Sequence, residues 1–194
     1  MSSADAAPRT EGRAAPPRDG EGTDTGVGRF LEGDKGRLLG WVGGTILVLD
    51  MITKAWVVRA MTLYESVPVV GDVFRFTYTH NPGAAFGINV GEHSRLVFLC
   101  LALVALGVLL WLYASTPPDE RFRLFSLALV AGGAVGNIID RIRYERGVVD
   151  FLDVGFGAIR WPVFNVADMA VSVGAVLLLV SFYRESHDGE EPGG

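Results

Sequence analysis

The 194-residue chain has a single cysteine, Cys100, and it lies inside an apolar run. An intramolecular disulfide is excluded, and the thiol reads as a small buried hydrophobe. Basic residues are in deficit, 17 Lys and Arg against 22 Asp and Glu, for a formal net charge of −5. With no basic stripe to meet phosphates, nucleic acid is not an expected partner. The histidines, His80, His93 and His187, are scattered, and His-Glu-x-x-His and cysteine pairs are both absent. A metal site is therefore not expected. Gly-x-Ser-x-Gly and the P-loop are missing as well. Large apolar residues are almost absent before Phe30. Residues 1–34 cannot bury enough surface to offset their ordering entropy, so they read as a disordered tail. The tail has no apolar stretch behind a charged start and is not read as a cleavable signal peptide.

What is present is apolar and clustered: hydrophobic residues make up 49% of the chain. Four segments have the ~20-residue length that crosses a bilayer as a helix. They are Leu38–Val58, Leu96–Ala114, Phe122–Asp140 and Val163–Tyr183. The expected fold is an all-α membrane protein of four transmembrane helices with a small β element. Residues 35–184 form its membrane domain, and 185–194 a short acidic tail. The second span carries no charge and reads as scaffold or lipid-facing surface. In the third, Gly132, Gly133 and Gly136 permit close helix approach. Between the first two spans, Val67, Val69, Phe74, Phe76 and Tyr78 alternate around Gly71-Asp72, which predicts strand, turn, strand. Residues 141–162 form a second large loop suited to a small β element.

Four spans place both termini on one side and the two large loops on the other. Basic residues are more numerous on the loop side, at Arg59, Arg75, Arg95, Arg141, Arg143, Arg146 and Arg160, than at Lys35, Arg37, Arg121, Arg123 and Arg184. Charge alone therefore does not put the termini in the cytoplasm.

The polar residues within this apolar frame are few. Asp50 and Lys54, at i and i+4, can pair on one helix face. An internal ion pair and a direct site role both remain open for them. His80-Asn81-Pro82-Gly83-Ala84-Ala85-Phe86-Gly87 can form a tight loop that lets a ligand backbone approach; ordinary turn chemistry is the simpler reading. The pattern Asn-x-x-Asp occurs at Asn137–Asp140 and again at Asn165–Asp168. Residues three apart share a helix face, so each Asn can lie beside its own Asp. Asp150 lies in the second loop. By the four-span topology, Asp50, Asp140, Asp150, Asp168 and the Asn81 loop all gather at one membrane surface.

Two carboxylates held together share a proton. One member can then draw a proton from water while the other donates to a carbonyl or leaving amine, as in aspartic peptidases. Asp150 and Asp168 are the best candidates for this chemistry, with Asn137 and Asn165 as orienting or substrate-binding groups. Asp140 reads as a paired structural carboxylate, and Asp153 as an acid paired with a nearby arginine. Arg141, Arg143 and Arg146 read most simply as residues snorkelling to the headgroups. Two other classes compete: a small transporter or proton pathway built on the buried acids, and a non-catalytic membrane scaffold.

At these residues the chain resembles the lipoprotein signal peptidase (signal peptidase II) family. The resemblance covers about residues 38–183. It is carried, in the family's order, by Asp50-x-x-Thr53-Lys54, Asn81-Pro82-Gly83-Ala84-Ala85-Phe86-Gly87, Gly136-Asn137-x-x-Asp140-Arg141, Val149-Asp150-Phe151 and Phe164-Asn165-x-Ala167-Asp168. It implies an intramembrane aspartic endopeptidase with Asp150 and Asp168 as its catalytic pair. Asp50, Lys54, Asn81, Gly83, Ala85, Phe86, Asn137, Asp140, Arg141 and Asn165 would be supporting or substrate-binding residues. The implied substrates are prolipoproteins, cut just before a diacylglyceryl-modified cysteine. The implied inhibitor is the cyclic peptide globomycin, and the implied location is the bacterial cytoplasmic membrane with the site facing outward. A β cradle and an outward helix over the site, cytoplasmic termini, contact with membrane lipid, and the absence of metal or cofactor also follow from the resemblance.

Overall fold

The computed structural model describes residues 33–83 and 91–188. Among them, four helices are long and apolar enough to cross a membrane. They are α1 (Asp34–Ala60), α2 (Ser94–Ser115), α3 (Arg121–Arg143) and α4 (Val166–Asp188). The strands are β1 (Ser66–Val70), β2 (Phe74–Asn81), β3 (Val148–Phe156) and β4 (Ile159–Arg160). The expected four-helix membrane fold with a small sheet is therefore present.

The third span is central. Helix α3 packs against each of the other three helices and buries one long face. Its glycines explain the closeness. A Cβ on Gly132 would lie 2.7 Å from Gly43 Cα of α1, and a Cβ on Gly133 would lie 2.4 Å from the Ala167 carbonyl of α4. Backbone contact of this kind replaces the hydrophobic drive that helices lack in lipid. Helix α2 packs chiefly on α3 and exposes most of its apolar surface. Cys100 lies on that exposed surface and is not buried in protein. Its apolar neighbours in sequence face the membrane, so hydropathy alone could not separate burial in lipid from burial in the bundle.

At the terminal end, Tyr113 Oη donates to the Lys35 carbonyl at 2.6 Å. Lys35 Nζ donates to the carbonyls of Ala114 and Thr116 at 2.8 and 2.7 Å. The Lys35 ammonium thus satisfies carbonyls at the C-terminal end of α2, where a helix leaves them without partners.

The sheet closes the opposite end in the order β1-β2-β3-β4, all antiparallel. The β1–β2 hairpin turns at Gly71-Asp72, as the alternation predicts, with Gly71 at φ +50°. Strand β2 continues through His80 and Asn81, residues the sequence suggests as loop. Asn81 pairs with Val148, and Thr79 with Asp150. The pairing of β2 with β3 joins the two large loops into one layer, so they share one end of the bundle. Helix α4 starts at Val166, later than Val163, because Phe164 forms a bridge to Leu152 first.

Several loop-side cations are engaged locally. Arg75 pairs with Asp72, and Arg160 Nε sits 2.6 Å from Asp153 Oδ1. The paired state expected of Asp153 is the one observed.

Candidate active site

The first span contributes a buried cation between two anions. Lys54 Nζ lies 2.7 Å from Asp50 Oδ2 and 2.9 Å from Asp140 Oδ2, with all three side chains buried. The i, i+4 pair predicted on α1 is present, and it has a third member on α3. Asp140 is paired, as expected, but with Lys54 and not with Arg141, its neighbour in sequence. Removing one member of such a group strands a charge in a low-dielectric interior, at about 3–5 kcal/mol.

Each carboxylate of this group also holds a backbone amide from another element. Asp50 Oδ1 accepts the Ala167 N–H at 3.0 Å, and Asp140 Oδ2 accepts the Val149 N–H at 3.1 Å. Ala167 and Val149 immediately precede Asp168 and Asp150. Gly136 makes the arrangement possible, since a Cβ there would lie 2.6 Å from Asp50 Oδ2.

Asp150 sits on β3 at 1% exposure, and Asp168 in the first turn of α4, partly exposed. A shell of amides brings them together. Asn165 Nδ2 donates to Asp150 Oδ1 at 2.6 Å, and Asn165 Oδ1 accepts the Asp168 N–H at 2.9 Å. The Asn165 N–H in turn donates to Asp168 Oδ2 at 3.2 Å. This reciprocal pair is a capping box, so Asp168 is aimed by the same bonds that start its helix. Asn137 Nδ2 donates to Asp168 Oδ1 at 2.8 Å, and Asn137 Oδ1 accepts from both Lys54 Nζ and Asn165 Nδ2 at 3.1 Å.

The second Asn-x-x-Asp thus pairs internally, while the first does not. The Lys54 ammonium takes Asp140. Asn137, which carries both donor and acceptor, spans from Lys54 to Asp168.

Burial pushes the Asp150 carboxyl up, and the nearby Asp168 charge pushes it further, to about 7. Hydrogen bonds from Asn165 and Asn81, and the Lys54 charge, pull the other way. A carboxyl raised this far can hold a proton at neutral pH, which is what proton-transfer chemistry needs.

Arg141 is not a simple snorkelling residue. Its Nη1 donates to the Asn137 carbonyl at 3.1 Å, and its charge acts on Asp168, Asp150 and Asp140. Arg143 is exposed, as a headgroup-level residue should be, and its guanidinium lies 5.5 Å from the Tyr144 ring centre.

Asn81 Oδ1 accepts the Gly83 N–H at 2.9 Å, which shapes the turn at Pro82. Gly83 has φ +119°, and a Cβ there would lie 2.1 Å from the Phe98 ring. This position requires glycine. Ala85 and Phe86, with Ala84 and Gly87, lie outside the described residues.

Gly147 escaped the sequence reading, and Ala167 entered it only as a motif position with no role. Gly147, at φ +94°, would drive a Cβ to 2.2 Å from the Asn81 carbonyl, and its own carbonyl lies 3.2 Å from His80 Nδ1. A glycine directly before an apolar strand is the turn signal that marks it. The Ala167 amide, which anchors Asp50, leaves no trace in side-chain chemistry.

Fold and site together define a multi-pass membrane protein with a buried acid cluster at one end of a four-helix bundle. The family profile described as Signal peptidase (SPase) II matches residues 42–184. A lipoprotein signal peptidase of Geobacter sulfurreducens is 45% identical over 140 residues, covering 72% of this chain and 87% of that protein. Its counterpart from Syntrophotalea carbinolica is 41% identical over 150 residues, covering 77% and 92%. Two solved bacterial membrane enzymes share the fold, with TM-scores of 0.71 and 0.66 at 24% and 26% identity. They cover 80% and 74% of this chain, and 93% and 91% of their own lengths. The chain belongs to the signal peptidase II family. It is accordingly a peptidase of the membrane.

Proposed function

We propose that this chain removes signal peptides from prolipoproteins as an aspartic endopeptidase, with Asp150 and Asp168 as its catalytic pair. The observation that carries the reading is Asn165, whose one side chain binds Asp150 through Nδ2 and the Asp168 backbone through Oδ1. Two acids from different elements are thereby held at one point.

Asp150, buried and raised, carries the shared proton. Asp168, partly open, draws a proton from the attacking water. Asp150 gives its proton to the carbonyl oxygen of the scissile bond; on collapse of the tetrahedral intermediate the leaving nitrogen takes the proton held by Asp168, and Asp150 recovers its own from the diol hydroxyl. The cut falls before a diacylglyceryl-modified cysteine. The acyl chains of that substrate stay in membrane lipid while the peptide bond reaches the acids at the membrane face.

The membrane is the bacterial cytoplasmic membrane, with cytoplasmic termini and the acid pair facing outward. Family membership supports this orientation. A transporter or proton pathway is not favoured, because the acids gather at one end and do not line a route across the bundle.

The test is incubation of purified protein with a diacylglyceryl-modified precursor, with and without globomycin. Signal-peptide release that globomycin blocks is the expected result. No release by the wild-type protein overturns the reading.

A further inference from the structure

The polar contacts of Lys54 are Asp50, Asp140 and Asn137, with neither proposed catalytic acid among them. We propose that Lys54 is a positioning residue: its ammonium fixes which way the Asn137 amide faces, and that amide holds Asp168 ready for the attacking water. The inference rests on Asp150 and Asp168 being the catalytic pair.

A primary amide has two ends of nearly the same shape and opposite hydrogen-bonding character. At Asn137 the oxygen faces two donors, Lys54 Nζ and Asn165 Nδ2, each at 3.1 Å. The nitrogen faces Asp168 Oδ1 at 2.8 Å. Turned over, the amide would set N–H groups against an ammonium, which has donors and no acceptor. It would also set its oxygen against a carboxylate. Both contacts would repel, so the amide has one workable orientation.

Lys54 is itself held from two sides. Its ammonium forms ion pairs with Asp50 and Asp140 and donates a hydrogen bond to Asn137 Oδ1. Asp50 is tied to the Ala167 amide and Asp140 to the Val149 amide. Lys54 is therefore located relative to the residue before each proposed catalytic acid. From that fixed point it orients the group that reaches Asp168.

A charge-balanced variant separates this role from simple neutralisation. Lys54→Met with Asp140→Asn leaves the group's net charge unchanged, because one cation and one anion are removed together. The asparagine keeps an oxygen that can accept the Val149 N–H. Cleavage of a diacylglyceryl-modified precursor is measured for this variant, for Asn137→Ala, and for the two combined. The expected result is a fall in kcat of about 100-fold with KM little changed in both, as misplacement of a reacting group gives. In the Asn137→Ala background, the Lys54 and Asp140 changes should then cost little more. Losses that multiply, or wild-type kcat in the charge-balanced variant, overturn the proposal. Should that variant not accumulate in membranes, Asn137→Ala alone decides: wild-type kcat there overturns it. Asp168→Asn is the control on the underlying reading. An active Asp168→Asn removes the catalytic pair itself, whereas an inactive one beside a fully active Asn137→Ala removes only the role given to Lys54.

Discussion

Asn165 donates to Asp150 at 2.6 Å from a position with no solvent exposure. That bond favours the charged carboxylate, while burial and then Asp168 oppose it. Asn165→Ala removes one of the few forces holding the Asp150 carboxyl down to about 7. The carboxyl should move further up. If protonated Asp150 is the acid in cleavage, the falling limb of the rate–pH profile moves to higher pH. The same change removes a helix cap, at about 1 kcal/mol. Rate–pH profiles and thermal midpoints of both proteins check this, and an unmoved limb would detach Asp150 from the titration that governs rate.

Asp150→Asn and Asp168→Asn should each lower cleavage by about 100- to 10,000-fold, the range spanned by a lost acid or base. Both should still accumulate as folded protein in membranes. Cleavage assays set beside detergent-extracted yields separate the two effects.

Asp150→Asn has a second, thermodynamic signature. The carboxyl rises from an ordinary value of 3.8 to about 7 on folding. Between those values the native state binds more protons than the unfolded chain, so stability falls as pH rises. This stabilisation is complete below 3.8 and is lost by about 7. It amounts to no more than about 4 kcal/mol. The asparagine variant lacks the titration, so its thermal midpoint should vary less across that window. Parallel slopes for variant and wild type would contradict the shift.

Gly136→Ala should disturb the site without touching an acid. The new Cβ would stand 2.6 Å from Asp50 Oδ2 and must push that carboxylate off Lys54 or off the Ala167 amide. A loss of about 1–3 kcal/mol is expected from such overpacking, together with reduced cleavage. Thermal midpoint and kcat are the measurements.

Tyr113→Phe is a control at the far end of the bundle. It removes the 2.6 Å bond to the Lys35 carbonyl. It should cost about 1 kcal/mol and leave kcat and KM unchanged.

Much of the architecture is legible in the residues themselves. Span lengths follow from hydropathy, the hairpin from alternation around Gly71-Asp72, and the Asp50–Lys54 pair from helical spacing. The capping of Asp168 by Asn165 follows from the same three-residue rule. That rule fails at Asn137 and Asp140, because the partner that decides the matter, Lys54, lies 83 residues away from Asn137 on another helix. Arg141 bonds back to the Asn137 carbonyl on its own helix, yet the charges it meets include Asp150 on β3 and Asp168 on α4, which its sequence neighbours do not reveal. Cys100 shows a further limit. An apolar run says that water is excluded, and does not say whether protein or lipid excludes it.

The acids come from opposite ends of a long stretch of synthesis. Asp50 and Lys54 emerge with the first helix, β2 must wait for β3 to pair with it, and Asp168 arrives only with the last helix. Chains are made from the N-terminus onward. A ribosome-bound chain with two or three inserted helices therefore still lacks Asp168, one of the two proposed catalytic acids. On the proposed assignment, hydrolytic competence comes only with the last helix.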